Sequence, residues 1–206
     1  MRAFKPFLLT ITLSSLFAPW VHAENKTTTE MPEQAEQPTG KAGLDYVSIM
    51  YASQDNRNIG NDSEQATTTA VAVALGTYLT DMFKIEMRYG RGVKDGTASS
   101  NLKLGLDWYV NWYIGLQYPW TDFSNIYAQY GFSTVMGHAD LGSNTTNYPK
   151  LHSDLFGASF SPSWLVGTDV SLTHNTYLFI EGGKLHQDTR TNIDTYQYNL
   201  GLRYEF

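Results

Sequence analysis

The chain has 206 residues, no cysteine and a formal net charge of −6, with 42% hydrophobic and 14% aromatic residues. Its length suits a single domain, and the lack of cysteine excludes disulfide bonds and a lipid-modified N-terminal cysteine. The acidic balance argues against nucleic acid as a partner.

The chain begins with a segment typical of exported proteins. Arg2 and Lys5 precede a short apolar run, and small residues lead to Ala23. We predict a secretory signal peptide over 1–23, cleaved after Ala23, because the run is short for a membrane-spanning helix. Residues 24–42 are rich in Thr, Glu, Gln and Pro. That composition predicts a disordered periplasmic tail.

The final stretch, 196–206, alternates strictly between apolar and polar residues and ends on an aromatic residue. A period of two predicts a β-strand with one apolar face and one polar face. This ending resembles the C-terminal strand of Gram-negative outer-membrane β-barrels, in which such a strand serves as the assembly signal. By that resemblance, the assembly signal comprises Tyr198, Leu200, Leu202, Tyr204 and Phe206.

The same period predicts about eight strands in the mature chain. No later segment approaches the run of about 20 apolar residues that a transmembrane helix needs, so a membrane-embedded form must be a closed barrel. Short connections at 80–82, 119–123 and 173–176 alternate with longer ones, as in small outer-membrane barrels. We predict an all-β, antiparallel, up-and-down transmembrane barrel over 43–206, similar to the OmpA/OmpX-like family, with both termini in the periplasm. The predicted strands are 44–52, 67–79, 83–90, 102–118, 124–135, 163–172, 177–186 and 196–206.

The strand 102–118 indicates which face points outward. Its even positions, Leu104 and Leu116 among them, are large and apolar, whereas its odd positions are polar or glycine. So many large side chains would overfill a small barrel, which favours an apolar face toward lipid and a polar lumen. Alternation alone does not exclude a soluble, lipocalin-like barrel, in which the apolar face would point inward and the polar face outward. The predicted lumen face carries Gly76, Gly90, Gly105, Gly115, Gly131, Gly167 and Gly201, and Gly182–Gly183 suggests a bulge.

Charged side chains also fall on the predicted lumen face. Buried charges need partners, so we expect a salt-bridged network that plugs the lumen. A small gated pore, whose selectivity these residues set, is the functional alternative. The predicted network consists of Lys84, Glu86, Arg88, Lys103, Asp107, Asp169, Glu181, Arg203 and Glu205.

Other chemistry has weak support. The tripeptides that begin at His138 and His152 each pair a histidine with an aspartate, a combination that divalent ions accept. Two such tripeptides in a polar loop do not define a site, and we predict no metal and no cofactor. Some eight-stranded outer-membrane barrels modify lipid A, but the His-x-Ser-Asn pattern of the deacylases is missing. We therefore expect no enzyme.

The resemblance implies a role at the cell surface. We expect a structural, adhesion-type recognition protein that acts through its outer loops, above all 53–66 and 137–162. The alternative is a narrow, porin-like passive channel for ions or small solutes. Expected partners are outer-membrane lipid and lipopolysaccharide, the barrel-assembly machinery and an unidentified extracellular ligand.

Overall fold

The computed structural model describes residues 40–60, 63–140, 148, 154–155 and 160–206, with 154–155 described by their backbone alone. These residues all belong to one compact unit, Pro38–Phe206. The predicted signal peptide, nearly all of the predicted tail and much of the predicted loop 137–162 lie outside the described residues.

In the part of the chain that the structure describes, ten strands form one antiparallel sheet that closes on itself as a barrel, which confirms the predicted fold class. The ring closes because β1 pairs with β10 and β5 pairs with β6. In the described part of the chain, no helix is long and apolar enough to cross a membrane. The strands are β1 (Asp45–Ile59), β2 (Glu64–Tyr78), β3 (Phe83–Lys94), β4 (Gly96–Thr97), β5 (Lys103–Thr121), β6 (Ser124–Asp140), β7 (Asp154–Leu155), β8 (Phe160–Ser171), β9 (Thr176–Gln187) and β10 (Asp194–Glu205). Eight of them are long, and β4 and β7 are two-residue strands.

The two ends of the barrel differ. The terminal end carries residues 40–45 and Phe206, and the opposite end is called the loop end here. At the loop end the strands run further than predicted, since β1 reaches Ile59 and β6 reaches Asp140. Polar residues there suggested loops, but pairing with the neighbouring strand keeps them extended, as at Asp55 opposite Thr67.

Over most of the barrel, apolar side chains point outward and polar side chains point inward. Along β3, for example, Phe83, Ile85, Met87 and Tyr89 are 40–48% exposed. An apolar belt of this extent would be a liability in water and is what a lipid-facing wall requires. Its exposed aromatic residues include Phe83, Tyr118, Phe123, Tyr204 and Phe206 toward the terminal end, and Tyr51, Tyr89, Trp112, Phe132 and Phe160 toward the loop end.

Toward the loop end the interior becomes apolar. Leu104 is only 1% exposed, so its predicted place on the lipid face is wrong, whereas Leu116 is 46% exposed on the outer wall as predicted. The reason is a β-bulge: the pairing of β5 with β6 shifts between Leu106 and Trp108, which changes the phase of the alternation. We call the apolar interior at this end the apolar cap. It comprises Ile59, Ala66, Ala98, Leu102, Leu104, Leu106, Val135, Ala139, Tyr148, Leu185 and Ile193.

A second bulge lies in β9. Tyr196 of β10 pairs with Lys184 and Thr195 pairs with His186, which leaves Leu185 as the extra residue. Leu185 and His186 are consequently both buried although they are consecutive in the chain. The predicted bulge at Gly182–Gly183 therefore lies further along the strand than the glycines suggested.

Candidate functional site

The centre of the lumen is crossed by a buried ionic group, which we call the central brace: Arg88, Glu86 and Glu181. Arg88 forms ion pairs with both carboxylates, and its Nη2 atom lies 3.1 Å from the second Glu181 oxygen. Nη2 also donates a hydrogen bond of 2.8 Å to the Gln129 side chain. Because Arg88 lies on β3 and Glu181 on β9, these contacts tie opposite walls of the barrel together.

Neutral side chains complete the partners of the two carboxylates. The Tyr46 hydroxyl donates to Glu86 at 2.8 Å. The Tyr127 hydroxyl and the Asn199 amide each donate to Glu181 at 2.8 Å. Buried carboxylates with several donors are the arrangement in which a buried ion pair offsets its desolvation cost.

A second ionic group lies nearer the terminal end, and we call it the terminal cluster: Arg203, Asp169 and Glu205. Arg203 forms an ion pair with Asp169, and its Nε atom lies 3.1 Å from Glu205 Oε1. Asn125 donates to Asp169 at 2.6 Å, and the Tyr78 hydroxyl donates to Glu205 at 2.8 Å. This cluster fills the lumen between the central brace and the terminal mouth.

Lys84 points inward between the two groups and is 1% exposed. Its ammonium lies over the Tyr127 ring, 4.1 Å from the ring centre, and 5.7 Å from the centre of the Tyr46 ring. Gly115 faces it across the sheet, and a Cβ atom there would lie 3.1 Å from the Lys84 Cε atom. The glycine leaves room for the lysine stem, and the rings provide cation–π contacts.

Most residues of the predicted network lie in this interior, but two do not. Lys103 and Asp107 are exposed on the outer wall, where Asp107 Oδ1 lies 2.9 Å from His138 Nδ1. Both precede or occupy the β5 bulge, so the phase change there turns them away from the lumen. Gly105 faces outward for the same reason and packs against the His138 ring. The predicted residues that do line the lumen are Lys84, Glu86, Arg88, Asp169, Glu181, Arg203 and Glu205.

The residues of the predicted assembly signal lie along the outward face of β10. Tyr198, Leu200, Leu202, Tyr204 and Phe206 are 44–61% exposed. The strand itself pairs with β1 from Tyr46 opposite Glu205 onward. Their part in assembly stays a prediction.

Polar residues fill the lumen between the central brace and the apolar cap. Tyr113 Oη lies 2.7 Å from Ser163 Oγ, and Ser133 Oγ lies 2.9 Å from His186 Nδ1. The Asn56 amide donates to the Ala66 carbonyl at 3.1 Å. These contacts leave the buried His186 inside a hydrogen-bonded layer rather than at a surface where a substrate could reach it.

The tyrosines of the lumen were missed as network members. In the structure, Gly76 stands opposite Tyr46 in the neighbouring strand, and the sequence had already placed this glycine on the predicted lumen face. A Cβ atom at Gly76 would overlap the Tyr46 ring, and one at Gly90 would overlap the Tyr109 ring. Large rings over glycines fill a narrow lumen without opening the sheet.

Lys41 was also missed, because it falls within the segment predicted to be a disordered tail. Its ammonium lies 2.9 Å from Glu205 Oε1 at the terminal mouth. Burial lowers the pKa of Lys41, and the attraction of the Glu205 carboxylate opposes that shift.

Two other features of the described residues bear on binding. No group of three or more His, Asp or Glu side chains that could hold a metal ion occurs among them. A groove of about 720 Å³ is lined mainly by apolar and small residues of the outer wall, such as Ala128, Val166 and Gly182, and also by Tyr127 and Glu181, whose side chains meet in the lumen.

Comparisons with known proteins agree with this geometry. A family model described as "Outer membrane protein beta-barrel domain" matches residues 15–206. No curated protein sequence matches significantly. Neisserial surface protein A is similar in structure, with a TM-score of 0.56 and 18% identity over 80% of this chain and 99% of that chain.

Two further solved structures share the fold. One is Ail, the attachment invasion locus protein of Yersinia pestis, solved in complex with the heparin analogue sucrose octasulfate. Its TM-score is 0.54 at 11% identity, and the match covers 80% of this chain and 99% of that chain. The outer membrane protein OprG from Pseudomonas aeruginosa has a TM-score of 0.50 at 14% identity, over 81% of this chain and 97% of that chain. At these identities the likeness concerns the fold.

Proposed function

The chain belongs to the outer membrane protein beta-barrel domain family, and from that premise we propose that it is a structural, adhesion-type surface-recognition protein. Its filled barrel anchors the loop end outside the cell, where the recognition surface lies. The terminal end faces the periplasm, and a signal peptide over 1–23, cleaved after Ala23, directs export. The proposal includes no catalytic activity.

The occupied lumen is the observation that carries this proposal. The central brace spans the barrel with Arg88 ion-paired to Glu86 and Glu181. The terminal cluster lies on one side of it and the apolar cap on the other. An ion crossing the membrane would have to separate Arg88 from two buried carboxylates, and breaking such contacts is costly. Eight-stranded barrels usually have an interior that side chains just fill.

The loop end supports a recognition role. There the outer wall becomes polar, with exposed Lys94, Asp95, Lys103 and Asp107 beside the exposed ring of His138. The apolar cap stiffens these strand extensions from within, so that a rigid polar surface stands above the membrane. The fold is also that of a protein named for attachment and invasion, which makes such a role compatible with this architecture.

A narrow passive channel is the second candidate, and one observation favours it. Several buried polar atoms in the described lumen have no hydrogen-bond partner within the protein, and water molecules that satisfy them would form a route for small solutes. These atoms are Gln54 Nε2, Tyr109 Oη, Asn111 Oδ1, Gln129 Nε2 and Asn199 Oδ1.

Single-channel recording separates the two candidates. The chain from Glu24 onward would be refolded, and a heat-dependent shift in gel mobility would show that it is folded before reconstitution in a planar bilayer. We expect no discrete current steps. Reproducible steps from folded protein would overturn the closed-lumen proposal and make Arg88→Ala the first variant to record.

Recognition itself needs a second experiment. Cells that display the wild-type chain would be compared with cells that display a variant in which 141–147 is replaced by a short Gly–Ser linker. Both would carry equal amounts of folded barrel, judged by the gel shift. We expect the wild-type cells to bind host-cell monolayers or immobilised matrix and the variant to bind less. Wild-type cells that bind no better than cells lacking the protein would contradict adhesion.

A further inference from the structure

The chain enters the barrel through its terminal mouth. Gly40 packs against Asp81, and the Ala42 amide donates to Asp81 Oδ1 at 3.0 Å. The Gly43 amide donates to the Tyr78 carbonyl at 2.8 Å, and its φ of +82° is one that glycine adopts without strain. These contacts fix the backbone on both sides of Lys41, so its side chain is aimed rather than free.

The Lys41 ammonium occupies a defined pocket at this mouth. It lies 2.9 Å from Glu205 Oε1, 4.1 Å from the centre of the Tyr177 ring and 5.1 Å from the centre of the Tyr78 ring. The carboxylate is in turn fixed by the Tyr78 hydroxyl at 2.8 Å and by Arg203, whose Nε atom lies 3.1 Å from the same Glu205 oxygen. The Arg203 guanidinium also lies 5.0 Å from the centre of the Tyr177 ring, so the lysine shares the carboxylate and this ring with a second cation. Two aromatic faces and an anchored carboxylate are the chemistry that recognises an ammonium ion. We call this pocket, formed by Tyr78, Tyr177 and Glu205, the ammonium cage.

Charge balance gives an independent reason for a cation at this place. In the lumen from the central brace to the terminal mouth, three buried cations face four buried carboxylates: Lys84, Arg88 and Arg203 against Glu86, Asp169, Glu181 and Glu205. The remaining buried carboxylate of the described residues, Asp188, lies in the turn after β9 at the loop end. The excess negative charge is expensive in a water-poor interior. Lys41 adds the fourth cation, beside the carboxylate that lies nearest the mouth.

We propose that the terminal mouth of the barrel contains a binding site for a primary ammonium cation, built from Tyr78, Tyr177 and Glu205, and that Lys41 of the same chain is its resident ligand. The lysine thereby acts as a tethered plug that neutralises the lumen and holds the entering segment against the last strand. When the lysine side chain is removed, a small free alkylammonium ion occupies the cage.

Chemical rescue tests this proposal. The refolded chain from Glu24 onward would be compared with Lys41→Ala and with Lys94→Ala, the latter removing an exposed lysine of β3. Thermal unfolding would be followed by the heat-dependent gel shift. We expect Tm to fall by about 4 °C in Lys41→Ala, corresponding to a contact worth between 1 and 2 kcal/mol in a chain of this size, and to stay unchanged in the control. Methylammonium or propylammonium chloride should restore Tm saturably, relative to potassium chloride at equal ionic strength.

A variant at Glu205 tests whether the recovery of Tm arises from alkylammonium bound in the ammonium cage. Lys41→Ala combined with Glu205→Gln should show no alkylammonium rescue. Rescue of equal size in that double variant would overturn the proposal, as would an unchanged Tm in Lys41→Ala or a fall that no alkylammonium reverses. If Lys41→Ala does not refold, Lys41→Met keeps the aliphatic stem and removes only the charge. Its Tm should then fall below that of Lys94→Met, and equal values in the two variants would overturn the proposal.

Discussion

Arg88 shows how one residue can organise the lumen. Its guanidinium contacts Glu86, Glu181 and Gln129, and the contacted residues belong to β3, β9 and β6. A planar group with several donors suits this position because it satisfies carboxylates on different walls at once. Lysine in its place would offer one point of charge, and Lys84 indeed sits over aromatic rings instead.

Replacing Arg88 with Met should destabilise the folded barrel strongly. The change leaves Glu86 and Glu181 buried without their cation, and removal of one partner from such a group typically costs about 3–5 kcal/mol. Urea unfolding of the protein in lipid vesicles measures the loss. Arg190→Met, at an exposed position, is the matched control and should change nothing measurable. Adding Glu181→Gln to Arg88→Met should recover part of the loss, and a loss below about 1 kcal/mol in the single variant would contradict the brace.

Much of this interior could be predicted from the sequence. In a strand with an unbroken period of two, the direction of one side chain fixes the directions of all the others. Glu86 and Arg88 could be placed from β3 alone, where the alternation is unbroken. Lys103 and Asp107 could not, since the even positions of β5 stay apolar on both sides of the bulge. The apolar residues face lipid on one side of it and the cap on the other, so hydrophobicity gives no sign of the switch. Lys41 was out of reach because its pocket joins residues distant in sequence.

At the scale of the element, the β5 bulge lets one strand direct its apolar side chains toward lipid on one side of the bulge and into the apolar cap on the other. Asp107 and Trp108 both turn away from the lumen, and Leu106 and Tyr109 on either side of them are buried. Deleting Asp107 would remove the extra residue and leave every other side chain on its present face. Deleting Asn111 would instead close the bulge by moving Tyr109 toward lipid and Trp108 into the lumen.

The two deletions should therefore behave differently. We expect the Asp107 deletion to yield close to the wild-type amount of folded barrel and the Asn111 deletion to yield little. The amount of protein with heat-dependent gel mobility in outer-membrane fractions measures both. Equal loss in the two variants would mean that the bulge is needed for the shape of the sheet as well as for its phase.

A separate prediction concerns Phe206, which follows the last strand. β10 closes the barrel by pairing with β1, and the Phe206 and Asp45 backbones exchange hydrogen bonds of 2.8 and 3.0 Å. Phe206 itself points outward and stacks near Tyr204, so its ring contributes nothing to the lumen. Phe206→Ser should thus reduce assembly in cells while the purified chain still refolds in detergent. The fraction of folded protein in each setting is the measurement, and Leu172→Ser, another exposed apolar position at the terminal end, is the control.

At the scale of the whole molecule, the barrel reverses its polarity along its length. Toward the terminal end an apolar wall surrounds a charged lumen, whereas at the loop end a polar wall surrounds the apolar cap. The surroundings explain both arrangements. Lipid around the terminal part of the barrel stabilises apolar side chains that point outward, and water around the loop end favours apolar side chains that point inward. The height at which the faces exchange roles therefore marks the boundary of the membrane.

This boundary can be located with outward-facing charges. Leu116 and Thr97 both point outward, Leu116 within the apolar belt and Thr97 beside exposed Lys103 at the loop end. Leu116→Arg should cost about 2–4 kcal/mol of unfolding free energy in lipid vesicles, since arginine near the midplane must leave water. Thr97→Arg should cost less than about 0.5 kcal/mol, because that position stays hydrated. Similar costs at the two positions, measured by urea unfolding, would show that the bilayer extends past the bulge and that the apolar cap lies within it.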